Sequence, residues 1–265
     1  VSEPPVTDPV LRRDQDDIAT LTLNAPQSLN ALSRAMLIAL QSALTDLAQD
    51  DSIRVVILRA EGRAFSAGHD LKEIEAARSA PDGGKAEIAS LFDLCARVMQ
   101  MLPALPQPVI ASVQGVATAA GCQLACSADL VVAAENARFG VNGINLGLFC
   151  STPAVALSRR IAPSQAFELL TTGEFLTASS AQAIGLVNRL ATPEALEAET
   201  LALARQIAAK DPGAIRLGKA AFRSQLGLPP DQAYVVAGSA MVENALRPET
   251  AAGIQAFLDR QSAKS

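Results

Sequence analysis

Apolar positions along the chain follow two periods. In residues 18–24, Ala19, Leu21 and Leu23 alternate with threonines, the period of a strand with one buried face. Ser33 then stands as an N-cap for a helix whose Met36, Leu37, Leu40, Leu44 and Leu47 recur at helical spacing. Residues 55–58 are short and wholly apolar, which marks a strand covered on both faces. Strand, helix and strand begin an α/β fold, and a helical stretch at 91–102 followed by buried strands at 109–113 and 130–134 continues it. After Ala134 helices dominate. Thr177 caps one that Gly185 can end, Thr192 with Pro193 starts another, and Pro212, Pro229, Pro230 and Pro248 punctuate a helical tail. The reading is a loose, proline-rich arm at 1–17, an α/β core at 18–192 and a helical C-terminal region at 193–265 with no flexible linker between them. Residues 75–91, polar and glycine-bearing, read as a mobile connection.

Composition narrows the partners. A hydrophobic content of 49% in 265 residues supplies a large core. The formal charge is -5, and the basic residues are scattered rather than gathered on one stripe, so nucleic acid is not an expected partner. No apolar run approaches the ~20 residues that cross a bilayer, and the opening VSEPPVTDPVLRRDQDD has no signal-peptide pattern. A cytoplasmic location follows as an expectation, or the mitochondrial matrix if a presequence has been removed. Cys95, Cys122, Cys126 and Cys150 are too few and irregular for a disulfide framework, and with His69 the only histidine no cysteine/histidine metal site is expected.

Two glycine-containing turns follow buried strands, where α/β proteins place ligands. In EGRAFSAGHDLKEI (61–74) the small residues Ser66, Ala67 and Gly68 allow close approach to the backbone, while Asp70 and Glu73 fit a capping box. In SVQGVATAAGCQLACSADLVV (112–132) a strand ends at Gly115 and a helix begins near Ala120. The free first amides of that helix lie at its positive end and suit a developing oxyanion, although tight helix packing explains the same small residues. Neither turn contains GxGxxG, and GGKA at 83–86 is no phosphate loop. AFSAG around Ser66 mimics a nucleophile elbow, but a hydrolase needs its histidine well downstream, and His69 is three residues away.

Taken together, TLTLNAPQSLNALS, SIRVVILRAEGRAFSAGHDLKE, PVIASVQGVATAAGCQLACSADLVVAAENARFG, TGEFLTASSAQAIGLVNRL and GIQAFLDR resemble the crotonase superfamily, the enoyl-CoA hydratase/isomerase family. The resemblance implies a spiral of ββα units whose C-terminal helices assemble homotrimers, often paired into hexamers. It implies an acyl-CoA substrate, with no cofactor beyond the coenzyme A that the substrate carries. The backbone amides of His69 and Ala120 match the family's oxyanion donors, each worth about 3 to 4 kcal/mol in a dry site. Ala67, His69, Leu71 and Lys72 match the stretch lining the adenine and pantetheine of coenzyme A, with Lys72 suited to a phosphate and Arg260 a second cation. Departures accompany the matches. The two glutamates that hold and activate water in the hydratases fall at Gln123 and Gly143, and an aspartate of some relatives falls at Ser151. A glutamine positions water but takes no proton, and losing a general base costs about 100-fold to 10,000-fold. Cys150 and Ser151 have no base in the sequence, Asn142 and Asn145 flank the empty glutamate position, and the His69 ring is a candidate for proton transfer. The resemblance therefore implies polarisation of a thioester carbonyl without two-glutamate hydration, the alternatives being decarboxylation of a malonyl-type CoA ester or acyl-CoA binding without chemistry.

Overall fold

The computed structural model describes residues 8–262. Its first compact unit runs to Ile207 and its second begins at Ala208. Chain order in the first is β1 (Val10–Gln15), β2 (Ile18–Leu23), α1 (Arg34–Ala48), β3 (Val55–Ala60), α2 (Leu71–Ala77), α3 (Lys85–Ala104), β4 (Val109–Val113), β5 (Val116–Thr118), α4 (Ala120–Ser127), β6 (Leu130–Ala134) and β7 (Arg138–Gly140). Then come α5 (Ser151–Leu157), α6 (Pro163–Thr172), β8 (Phe175–Thr177), α7 (Ala178–Ala183), β9 (Arg189–Ala191) and α8 (Leu196–Ala208).

A six-stranded sheet has the order β1-β2-β3-β4-β6-β9, parallel except where β1 meets β2. A three-stranded sheet has the order β5-β7-β8. Successive turns of chain leave one strand in each sheet and then a helix: β4, β5 and α4, then β6, β7 and α5. The turn before them does the same in miniature, because β3 is followed by a single bridge from Ser66 to Ala117 of β5 and then by α2. This is the ββα spiral. All five residues of β4 are buried, as are Met36, Leu37, Leu40, Leu44 and Leu47 of α1, so the strand runs and the helical stripe meet in one core. The Ser33 hydroxyl accepts the Met36 amide at 3.2 Å, and the Thr177 hydroxyl caps α7 through Ser180.

Three boundaries differ from the sequence reading. The stretch expected as a loose arm contains β1, in register with β2 from Val10 opposite Leu23 to Gln15 opposite Ile18, while residues 1–7 lie outside the described residues. VLRRDQ buries none of its residues and is held as an edge strand by backbone hydrogen bonds, so hydrophobic alternation could not reveal it. The segment 75–91 holds the end of α2, a turn at 78–84 and the first turns of α3. The chain is helical from α8 onward, but the first unit extends past 193: α8 buries Leu203 and Ala204, and its Thr200 hydroxyl lies 3.0 Å from Ser112 of β4. The second unit contains α9 (Pro212–Gln225), α10 (Pro230–Ala245) and α11 (Pro248–Ser262). Asp211 caps α9 through the Ala214 amide at 2.7 Å and pairs with Arg247.

Candidate functional site

Backbone pairing fuses the two glycine-containing turns. The Ser66 amide donates to Val116 at 3.1 Å and the Thr118 amide returns a bond to Ser66 at 3.0 Å. The Leu32 amide reaches the Gly68 carbonyl at 2.7 Å, and Ala67 donates to Leu29 at 3.0 Å. Glycine is required where the turns meet. Gly68 has φ +89°, and a methyl built on it would lie 2.9 Å from the Ala119 side chain and 3.2 Å from the Ala120 nitrogen. A methyl on Gly121 would lie 2.3 Å from the Ser66 carbonyl oxygen. Ala119 pays for this closeness with φ +49°, a strained conformation for a residue with a Cβ, and so delivers the first turn of α4 to the Gly68 loop.

Around that junction several amides are spoken for. Gly68 donates to the Ser66 hydroxyl at 3.2 Å, Ala119 to the Gly140 carbonyl at 3.0 Å and Lys72 to the Asp70 carboxylate at 2.9 Å. The amides of His69 and Ala120, like those of Gly121 and Cys122 in the first turn of α4, have no acceptor among the described residues. The Ser66 hydroxyl also donates to the Asn30 carbonyl at 2.8 Å, and Ser66 is fully buried, so it ties loops together and is no nucleophile. Asn30 is a positioning residue that sequence reading missed. Buried at φ +52°, its side chain holds Glu61 and Ala64 by their carbonyls at 2.8 and 2.9 Å and accepts the Ala25 amide. Its only trace in the sequence is an asparagine, a residue that tolerates the left-handed region.

A cleft of about 680 Å³ opens over the His69 and Ala120 amides. Of the residues singled out above, Ala67, His69, Leu71, Lys72, Ala120, Gly143 and Ser151 line it, and Gln123 does not. Helix α4 is buried along 120–126, so the Gln123 side chain is enclosed rather than presented, with its Oε1 lacking a partner. Gly143 sits in a 3-10 turn, Asn142–Leu146, that folds back on itself: the Leu148 amide donates to Gly143 at 3.0 Å. A Cβ at Gly143 would stand 2.5 Å from the Leu148 carbonyl oxygen and 2.8 Å from Cys150 Sγ. Burial raises the pKa of the Cys150 thiol, an effect the Gly143 amide partly offsets. Ser151 is exposed at the start of α5, with only a long 3.4 Å contact to the Phe149 carbonyl. Asn142 also lines the cleft and accepts the Thr118 hydroxyl at 2.6 Å, whereas Asn145 is exposed outside it. Lys72 is exposed at the cleft, and Arg260 is exposed in α11.

The His69 ring is the one imidazole in this wall. Its Nδ1 lies 3.3 Å from the Leu32 carbonyl oxygen and therefore carries the proton. The ring meets Phe92 of α3 edge to face at 5.1 Å. Nε2 is buried without a partner. Desolvation lowers the imidazole pKa below 6.5, against a smaller upward pull from the Leu32 carbonyl, so the ring is neutral at physiological pH.

The profile of the enoyl-CoA hydratase/isomerase family matches residues 13–264. The mitochondrial enoyl-CoA hydratase domain-containing protein 3 of Mus musculus is 42% identical over 260 residues, 98% of this chain and 84% of that protein. Among solved structures, an enoyl-CoA hydratase of Mycobacterium smegmatis superposes with a TM-score of 0.91 at 49% identity, covering 97% of each chain. The human enoyl-CoA hydratase domain-containing protein 3 superposes with a TM-score of 0.90 at 41% identity, covering 95% of this chain and 98% of that one.

Proposed function

The chain belongs to the enoyl-CoA hydratase/isomerase family, and from that premise we propose that it binds an acyl-CoA thioester in the 680 Å³ cleft and polarises the carbonyl with the His69 and Ala120 amides. The unpartnered amides of His69 and Ala120, residues that both line the cleft, carry this reading. A buried donor without an acceptor is costly, and two side by side over a cleft fit one oxygen that gains negative charge. Lys72 and Leu71 at the cleft suit the coenzyme A moiety, and no cofactor beyond it is invoked. Hydration by two carboxylates is not part of the proposal, because Gln123 is a buried amide and the space beside Gly143 is filled.

Comparing butanoyl-CoA with its thioether analogue, which lacks the carbonyl oxygen, tests the grip directly. Two hydrogen bonds at about 0.5 to 1.5 kcal/mol each predict about 5- to 150-fold weaker binding of the thioether. Equal affinities overturn the oxyanion reading. Crotonyl-CoA hydration at the rates of two-glutamate hydratases overturns the reading of positions 123 and 143. A malonyl-type CoA ester is the second substrate class. Apart from Asp70 no carboxylate lines the cleft to repel its acid group, and loss of CO₂ leaves the enolate at the same two amides without a base. Binding without turnover of either class assigns the fold to acyl-CoA binding alone.

Assembly is proposed on a separate observation. In the single chain α9, α10 and α11 contain no buried residue, and Phe222, Tyr234, Val235, Met241 and Leu246 are each more than half exposed. A homotrimer or hexamer covers such surface, and light scattering on the purified chain measures it. No helix among the described residues is long and apolar enough to cross a membrane. The four free cysteines suit the reducing cytoplasm or mitochondrial matrix.

A further inference from the structure

A second cavity lies on one face of the six-stranded sheet. Every second residue of β2, namely Ile18, Thr20 and Thr22, points into it, as the pleat requires. Their register partners Leu11 and Arg13 of β1 and Ile57 and Arg59 of β3 stand beside them: Arg13 is opposite Thr20, and Thr22 is opposite Arg59. Helix α8 covers the same face farther along, where Thr200 meets Ser112 at 3.0 Å and Gln206 meets Arg189 at 3.3 Å. Between α8 and strands β1 to β3 is a groove of about 470 Å³, within the range of about 300–1,000 Å³ in which small molecules bind. Ile18 and Ile57 are buried in its floor, and Leu196 and Leu201 of α8 form an apolar wall.

Hydrogen-bond donors are left over in this groove. Thr22 is only 9% exposed, yet its hydroxyl has no partner among the described residues, and neither has that of Thr20. A buried polar group without a partner is costly unless something else meets it. Arg13 makes no ion pair or hydrogen bond among the described residues, whereas Arg12 next to it pairs with Asp14 and Asp50. Arg59 reaches Glu61 and Glu197 only at 3.5 and 3.3 Å, longer than the roughly 2.7–2.9 Å of a charge-assisted hydrogen bond, and both of those carboxylates are exposed. No aromatic side chain lines the groove, so a nucleobase finds no face on which to stack. A bare anion leaves the aliphatic floor wet, and a hydrocarbon leaves the donors unmet. We propose that the groove binds an aliphatic monocarboxylate, a fatty acid as the free acid. The carboxylate accepts from Arg13 and Thr22, with Thr20 and Arg59 as further donors, and the tail lies over Ile18 and Ile57 toward Leu196 and Leu201. This site shares no residue with the cleft at His69 and Ala120, so it stands apart from the thioester reading.

Titration of the intact protein at neutral pH with octanoate, octan-1-ol and inorganic phosphate, followed by calorimetry, tests the proposal. Octanoate should saturate, and octanol and phosphate should each bind about 10-fold more weakly or worse, because each meets only half of the groove. Arg13→Gln removes the charge from an exposed side chain and should weaken octanoate about 10-fold, while Thr22→Val keeps the shape, loses the hydroxyl and should weaken it about 3- to 10-fold. Should Thr22→Val melt early, Arg13→Gln decides. Butanoyl-CoA should leave octanoate affinity unchanged. Absence of saturable octanoate binding, or an Arg13→Gln protein that binds octanoate as the wild type does, overturns the assignment. Octanol equal to octanoate makes the groove a plain apolar surface, phosphate equal to octanoate makes it a bare anion site, and either result rejects the fatty acid. Displacement of octanoate by butanoyl-CoA puts the acid in the other cleft and is equally fatal. Octanoate affinity that falls as protein concentration rises shows a second copy of the chain filling the groove, which also overturns it.

Discussion

Replacing Gly143 by glutamate puts a carboxylate where hydratases of the family carry one, and the local packing argues against its acceptance. A Cβ there meets the Leu148 carbonyl oxygen at 2.5 Å and Cys150 Sγ at 2.8 Å, both closer than real side chains approach. The carbonyl cannot simply swing aside, since the turn is closed by Leu148 to Gly143 at 3.0 Å and Gly147 to Ile144 at 2.9 Å. Overpacking of this kind costs about 1 to 3 kcal/mol. For a unit of this size that lowers the melting temperature by about 2 to 12 °C. Gly143→Ala carries the same collision without the charge and should show most of the loss. Adding Cys150→Ala to Gly143→Glu removes one of the two contacts and recovers part of the stability. Thermal unfolding followed by circular dichroism reads these differences, and crotonyl-CoA hydration reads the chemistry, which should not rise in Gly143→Glu. A Gly143→Glu protein with wild-type melting and new hydratase activity would falsify the closed-turn argument, because the turn would then open at no cost to admit the acid.

The other expectations follow from single contacts. Gly68→Ala sets a methyl against Ala119 and the Ala120 nitrogen at φ +89°, so it should weaken butanoyl-CoA binding by about 10-fold or more and lower stability by about 1 to 3 kcal/mol, measured by calorimetry and urea titration. Ser66→Ala breaks the bonds to Asn30 and Gly68 and should cost about 1 to 3 kcal/mol in urea, while serine-directed phosphonylating reagents leave the wild type unlabelled; a labelled Ser66 contradicts the structural role. Gln123→Glu buries a carboxylate without a cation, so its folded pKa lies above the unfolded value near 4.3 and stability should fall as pH rises through that range. His69 shifts the opposite way. Its folded pKa is below 6.5, so the unfolded chain binds the extra proton and stability is lost as pH falls below 6.5; His69→Gln should remove that part of the slope in urea midpoints taken across pH.

Much of the fold was legible because burial leaves a period in the sequence. The five apolar residues that define α1 are the five that it buries, and its serine cap bonds as the sequence predicts. β1 left no such trace, since an edge strand with a solvent-facing surface is held by main-chain bonds that any sequence supplies. The end of the first unit was hidden for a related reason: α8 is tied to the sheet by contacts distant in sequence, such as Ser112 with Thr200, 88 residues apart, and Arg59 with Glu197.

The site divides along the same line. Close approach demands small residues, so Gly68 and Gly121 mark where the two turns meet, while the choice of the His69 and Ala120 amides as donors rests on the family resemblance. Side-chain chemistry carries no such constraint. The space that a glutamate at 143 would use is taken by a cysteine seven residues later, and nothing local in either segment says so. Gln123 lies three residues beyond Ala120 yet is enclosed in a helix buried throughout. The cleft is therefore built from two kinds of group with different freedom. The His69 and Ala120 amides are fixed by the turns and survive any change of side chain that those turns tolerate. The side chains of the cleft are under no such constraint, and the His69 ring is turned onto the Leu32 carbonyl and Phe92 with its Nε2 buried.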